Sequence, residues 1–569
     1  MSGPSTPASE PDRPSASTPA SEPDRPSAST PASEPDQPFG PASGPVGASV
    51  PGPHWGAGAP VPSCSLWLRP SDPGRKVAAT PRVLLLALLT GLLTSWLLND
   101  GLGANLLVCA AGTAAAAGLA ARAAGRRIRP WTVVWSLLAA ALLVVPALWE
   151  AGWPVTLAVV CALGLASLAL HGGRRWPGVL LPLPAILWQL PPGVLWLVDG
   201  LRGRSLPGRG RIVPVFKALA VAAVLLTVFG VLFAGADAAM ADLLSGLSPS
   251  LDLDRVPLRF VLFVLGALTA LGFAHIAAGP RRWDRTVVRP GRARGRLEWA
   301  LPLVALNLMF GVFAVIQAVV VLGGADAVLR NTGMSRSEYA RQGFWQLSAI
   351  TVLTLAVVAV AKRWAPRATP ADRRVARILL GALCLLALVV VASALGRMWF
   401  YVDASGLTRL RLWVLVVEGW LGVVFLLLIT AGLTRGAGWL PRAVLLSGML
   451  SVAAYGLAGP DAIIAEQNVS RYERALAADP QTARIDLRNV RDLSADAVPA
   501  LDRLPGAQRT CALQVIAADL ADHPKPWYAA GASAARAREI LAQRPAVERP
   551  TGGRSACEQA GMPFEDIWY

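Results

Sequence analysis

The sequence predicts an all-α fold: a polytopic transmembrane helical bundle of about eleven spans, a small helical soluble domain at the C-terminal end and a disordered N-terminal tail. Three observations predict it. Of 569 residues, 54% are hydrophobic and only 16% charged, where soluble domains carry about a quarter charged residues. The apolar residues come in blocks of roughly twenty, the length a helix needs to cross a bilayer, rather than in amphipathic stripes. Arginines crowd the short loops between these blocks, as the positive-inside rule requires of cytoplasmic loops.

Residues 1–80 cannot fold alone. The dodecad Ser-Thr-Pro-Ala-Ser-Glu-Pro-Asp-Arg-Pro-Ser-Ala runs from Ser5, repeats from Ser17 and begins again at Ser29. Such a stretch has too little apolar surface to offset ordering entropy, and its prolines forbid continuous helix. We expect a solvating tail or linker; a phosphorylated or partner-binding tether is the alternative. The first hydrophobic block starts too far in to be a cleaved signal peptide.

Hydrophobic blocks follow at 83–98, 101–121, 131–149 and 153–170 in an N-terminal transmembrane region, 81–211. Blocks at 212–233, 258–278, 299–323, 346–361, 378–400, 410–432 and 443–459 make a second region, 212–459. Block 178–198 holds Pro182, Pro184, Pro191 and Pro192, which makes a continuous helix doubtful. Charge argues that it does not cross. If it did, the loop with Arg202, Arg204, Arg209 and Arg211 would fall outside and the acidic loop around Asp237 and Asp252 inside, both against the rule. As a re-entrant or interfacial hairpin it leaves the N-terminus cytoplasmic and the C-terminus extracytoplasmic in a bacterial plasma membrane. From 460 to 569 the chain reads as soluble helices: Asp461–Leu476, Ile485–Leu504 around a turn at Ser494, Arg509–Leu520 and Trp527–Leu541.

The net charge of +17 follows from loop arginines. No aromatic-interleaved basic patch or recognition-helix pattern accompanies it, so no nucleic-acid partner is expected. Of six cysteines, Cys109, Cys161 and Cys384 lie in apolar blocks, while Cys511 and Cys557 can form a disulfide if the C-terminal domain is extracytoplasmic. No C-x-x-C, phosphate-binding loop, nucleophile elbow or zinc motif appears, so neither a cofactor nor an enzymatic activity is expected.

Four ordered motifs carry a resemblance. They are Ser337–Leu347 (Ser-Glu-Tyr-Ala-Arg-Gln-Gly-Phe-Trp-Gln-Leu); Ser393-Ala394-Leu395 through Arg397-Met398 to Tyr401-Val402-Asp403; Gly406–Arg411; and Asn468–Tyr472 with Asp486-Leu487 and Asp496–Leu501. Together, over residues 212–505, they resemble a bacterial membrane family known as domain of unknown function 4173, whose relatives are grouped as domain of unknown function 4153. The resemblance implies a multipass membrane protein and no defined activity. The alanine, arginine, glycine and proline excess suits a GC-rich genome, in keeping with an actinobacterial source.

Candidate functional residues come from polar groups at membrane depth, which are costly there. Glu418 lies deep in block 410–432 and Arg397 at a matching depth in the preceding one, so a hydrogen-bonded Arg397–Glu418 pair is expected, either as a helix clamp or as part of a proton or ion path. Asn307, Gln317 and His275 read as interhelical glue. Tyr339 and Arg341 suit an interfacial segment that meets lipid headgroups. Asp252 and Asp254 form a D-x-D pair, a weak metal candidate of the kind used in sugar transfer from a lipid carrier. Asp403 and Arg409 belong to the motif loop. Asn468, Arg471 and Tyr472 share one helix face and, with Asp496, are expected to dock the C-terminal domain onto the bundle; a recognition surface for an envelope ligand is the alternative. The reading that results is an envelope membrane protein acting as sensor, scaffold or accessory subunit, with the lipid bilayer and an envelope or signalling protein as partners. A transporter or channel using Glu418 and Arg397, and a lipid-linked glycosyltransferase, are the alternatives.

Overall fold

The computed structural model describes residues 78–202, 255–285, 295–323, 344–364, 369–434, 437–481, 483–546 and 555–562. The tail repeats, block 212–233, Asp252, Asp254, Tyr339 and Arg341 lie outside the described residues.

The helices run in the expected order: α1 Pro81–Leu97, α2 Asn105–Ala123, α3 Pro130–Leu148, α4 Gly152–His171, α5 Trp176–Leu180, α6 Ala185–Arg202, α7 Val256–Ala278, α8 Arg296–Gly323, α9 Phe344–Trp364, α10 Pro370–Ser405, α11 Arg409–Leu433 and α12 Leu440–Leu457. Among the described residues nine of these are long and apolar enough to cross a membrane, and α1 is a shorter apolar helix of 17 residues. Large apolar side chains such as Leu92, Leu137, Leu308, Val315 and Leu353 are exposed around the bundle. Patches of that extent are not left bare to water, and a bilayer covers them. This is an α-helical multipass membrane protein.

Among the described residues the helices form three groups. In the first, α1, α2 and α6 pack on α7. Small residues let the backbones close: a Cβ at Gly91 would lie 2.8 Å from Phe263 O, and one at Gly266 would clash with Thr94 Oγ1. In the second, α3, α4 and α12 surround a core of Trp135, Leu142, Leu165 and Leu168. In the third, α10 packs against α8, α9 and α11. Asn307 Nδ2 donates to Leu379 O at 3.2 Å, and Ser393 Oγ donates to Gln317 Oε1 at 2.8 Å, so both uncharged polar residues of α8 bridge to α10.

Segment 176–202 differs from expectation in one respect. A single helix, α6, runs through Pro191 and Pro192. The two missing N–H groups cost it backbone hydrogen bonds, while packing on α7 holds the axis: Gly193 sits against Gly272, and Leu190 and Ile186 cover the same glycine. Both ends of the segment lie at one end of the bundle. Gly178 abuts Asp284 after α7, Gly200 abuts Ala79 before α1, and between them Leu183 reaches Gly164 inside α4.

That end is rich in arginine. Arg126 donates to Ala277 O and Leu170 O, Arg442 donates to Gly173 O and lies over Trp131, and Arg296 pairs with Asp372. The C-terminal domain sits at the opposite end. It consists of α13 Pro460–Ala478, α14 Leu487–Arg491, α15 Val498–Leu501, α16 Gly506–Asp522, α17 Ala532–Gln543 and α18 Ala556–Gln559. The stretch 485–504, expected to be helical around a turn at Ser494, forms two short helices with a 3-10 turn at Ala495–Ala497 between them; Asp486 caps α14 and Ser494 N donates to Asp461 Oδ2. Cys511 and Cys557 are joined by a disulfide, with Cα atoms 4.8 Å apart. One apolar core runs from α8–α11 into this domain through Val402, Leu407, Ile464, Tyr472 and Leu487.

Candidate functional site

The polar motifs converge where the C-terminal domain meets the bundle. The α10–α11 turn is the first contact. Gly406 has φ +80°, a left-handed conformation that favours glycine, and a Cβ there would clash with Asn468 Oδ1. Asn468, buried on α13, uses its whole amide on one residue: Oδ1 accepts from Leu407 N at 3.0 Å and Nδ2 donates to Leu407 O at 2.8 Å. Asn489 Nδ2 donates to the same carbonyl, and Arg471 Nη1 donates to Ala404 O at 3.0 Å. Arg411 closes the turn from the other side, donating to Ser405 O and Gly406 O with its guanidinium 4.0 Å over the Tyr401 ring.

An ion pair with a buried carboxylate stands beside it. Arg409 Nε and Nη2 donate to Asp461 Oδ1 and Oδ2 at 2.9 and 2.6 Å, and the Asp461 side chain is 0% exposed. The fork geometry satisfies both carboxylate oxygens.

The third contact joins the most distant segments. Asp496 accepts from Glu150 N at 2.8 Å, from Ala151 N at 3.1 Å and from Ser533 Oγ at 2.5 Å. Burial pushes its carboxyl above the ordinary aspartate value, against the pull of these three hydrogen bonds. Glu150 in turn accepts from Lys525 Nζ and Gly531 N, both at 2.7 Å. The Trp149 ring packs on Gly459 and donates from Nε1 to Leu457 O at 3.0 Å. In the α1–α2 turn, Tyr528 OH donates to Asp100 Oδ2 at 3.1 Å while Tyr528 O accepts from Asn105 N. Burial and the Asp100 carboxylate push the Tyr528 phenol up. A cleft of about 620 Å³ opens at this junction, between Trp149, Ile463, Glu466, Asp496, Pro499 and Arg536.

Of the residues singled out in the sequence, Asn468, Arg471, Arg409 and Asp496 come together here. Tyr472 turns the other way, into the core, and Asp403 is exposed on the last turn of α10. The expected Arg397–Glu418 pair is replaced. Glu418, 2% exposed, has Thr351 Oγ1 on α9 at 3.0 Å from its Oε1, and Arg397 engages other groups. Matching depth in two spans does not fix which way each side chain points around its helix. Sequence reasoning passed over Glu150, Asp461 and Asp100 as partners; each is a lone acid at a span end, and nothing local says what reaches it. Among the described residues no group of three or more metal-ligating side chains gathers.

The family described as "Domain of unknown function (DUF4153)" matches residues 136–504. The chain belongs to this family. The DUF4153 match begins earlier than the resemblance seen in the motifs, and so takes in most of α3 and all of α4. It contains Glu150, Ala151, Arg409, Asp461, Asn468 and Asp496, hence the central contacts of the junction, and it ends before Lys525, Tyr528 and Ser533. No curated protein and no solved structure matches the chain.

Proposed function

We propose that this DUF4153 protein is an envelope membrane protein of a bacterial plasma membrane that holds its C-terminal domain on the extracytoplasmic face, as a sensor, scaffold or accessory subunit without catalysis of its own. The observation that carries the proposal is the Asp496 carboxylate gripping the backbone of the α3–α4 turn. A domain fixed by buried polar contacts inside the family-matched region is part of the working unit rather than an appendage. Orientation is supported by charge, since arginines concentrate at the opposite end, and by the Cys511–Cys557 disulfide, which suits an oxidising compartment. With both of its ends at the arginine-rich end of the bundle, segment 176–202 fits a re-entrant or interfacial hairpin. Within the family, Ser337–Leu347 favours the branch described as domain of unknown function 4173, and composition favours an actinobacterial source.

The test is labelling of Cys511 and Cys557 in intact cells with a membrane-impermeant thiol reagent. Labelling that requires reductant but no permeabilisation supports the proposal; labelling that requires permeabilisation refutes the orientation. A partner that co-purifies stoichiometrically and is lost when Asp496 is changed would support the scaffold role. One observation favours a second reading. The buried Glu418 carboxyl suits a transporter or channel, and substrate-dependent proton flux in vesicles holding the purified protein would favour that reading over the first.

A further inference from the structure

Glu418 lies nine residues beyond Arg409 on α11, about 14 Å along the axis at the helical rise. A carboxylate at that depth needs a cation or several donors. Among the described residues no cation forms an ion pair with it: its hydrogen-bond contact is Thr351 Oγ1 at 3.0 Å. Ser348, one turn earlier on α9, lies beside the carboxyl with its Oγ buried and without a hydrogen bond of normal geometry.

One hydrogen has two claimants in this pair. A threonine hydroxyl has one hydrogen, and Thr351 Oγ1 has two oxygen neighbours at 3.0 Å, Glu418 Oε1 and Leu347 O. Four span threonines here place that hydrogen on the carbonyl four residues back: Thr90 on Leu86, Thr94 on Thr90, Thr354 on Ile350 and Thr430 on Leu426. With the hydrogen on Leu347, the contact between Thr351 and Glu418 must take its hydrogen from the carboxyl.

We propose that Glu418 is a carboxylic acid within the membrane bundle, donating to Thr351 Oγ1, and that it is a reversible proton-binding site. Loss of the proton leaves an acceptor-only carboxylate. Thr351 then turns its hydrogen from Leu347 O to Glu418, and the free Ser348 hydroxyl supplies a second donor. Two hydroxyls one turn apart on α9 thus give the carboxyl a loaded and an unloaded state without requiring a cation. The proposal is independent of the envelope-facing role argued above.

The test uses the purified full chain in lipid vesicles with the apolar reagent N,N′-dicyclohexylcarbodiimide, which reacts with protonated carboxyls. The acid proton passes to a carbodiimide nitrogen, the carboxyl oxygen bonds to the central carbon, and an oxygen-to-nitrogen acyl shift leaves a stable adduct that mass spectrometry places on the Glu418 peptide. The expected result is an adduct at neutral pH that declines as pH rises and is absent from Glu418→Gln. Infrared difference spectra of wild type against Glu418→Gln decide the matter even if the reagent is sterically blocked. A protonated-carboxyl C=O band that shifts to higher frequency in Thr351→Val supports the proposal. A carboxylate band at neutral pH in its place overturns it.

Discussion

Asp496 and Glu150 are 346 residues apart in the chain, yet the carboxylate of the first accepts the backbone N–H of the second at 2.8 Å. The same carboxylate holds Ala151 N and Ser533 Oγ, so one buried side chain ties the α3–α4 turn to two parts of the C-terminal domain.

Asp496→Ala leaves these donors without an acceptor, at about 1–3 kcal/mol for each one left unsatisfied. We expect a lower thermal midpoint in detergent and faster proteolysis within residues 523–531, with Asp496→Asn intermediate. The pH dependence has a definite sign. The folded carboxyl titrates above the 3.8 ordinary for aspartate, so its contribution is full below that value and is lost as pH rises through the folded one. The stability gap between wild type and Asp496→Asn should therefore narrow as pH is raised through this range, and a gap that widens would contradict the assignment.

Gly406 and Asn468 are coupled. Gly406→Ala adds both a left-handed φ for a residue with a Cβ and a clash with Asn468 Oδ1, and should cost about 1–3 kcal/mol. Asn468→Ala removes the clash but not the φ cost. The double variant should accordingly be less destabilised than the sum of the singles, by about 0.5 kcal/mol or more in a double-mutant cycle.

Breaking the Arg409–Asp461 pair should cost more than any surface contact. Asp461 is 0% exposed but Arg409 is 38% exposed, and Ser494 N still donates to the carboxylate once the guanidinium is removed, so the loss should fall below the roughly 3–5 kcal/mol of a fully buried pair. Arg409→Lys should recover only part of the loss, since an ammonium cannot reproduce the two-pronged contact. Thermal unfolding of the two variants, side by side, measures the difference.

Reduction of Cys511–Cys557 opens a loop closed over 46 residues, which chain entropy values at about 4 kcal/mol. Treatment with reductant should lower the unfolding transition of residues 460–569, followed by hydrogen exchange, and leave α1–α7 unchanged. Equal loss of protection in both regions would mean that the disulfide supports the whole protein.

The bundle was legible because each span is a long apolar block and hydropathy needs no knowledge of neighbours. Residues 468, 471 and 472 could be placed on one helix by spacing, and Asn468 and Arg471 do reach the same turn while Tyr472 enters the core. What spacing does not carry is the identity of the surface met across the fold. Trp527–Gly531, expected at the start of a helix, is instead held as a loop by Asn105, Asp100 and Glu150. The path of α6 through two prolines is likewise decided by the glycine opposite on α7, and Glu418 by which helix its side chain happens to face.

The single core shared by α8–α11 and the C-terminal domain bears on biogenesis. At about 5–20 residues per second, the ribosome needs roughly 20–70 s after the α3–α4 turn emerges to make the residue that binds it, 346 positions later. Until then that turn must stay hydrated, and the face of the core that Val498, Leu501 and Leu513 will cover stays open. The last hundred residues expressed alone would present one side of an unfinished core, so this domain matures on the inserted helices, as the closing step of assembly.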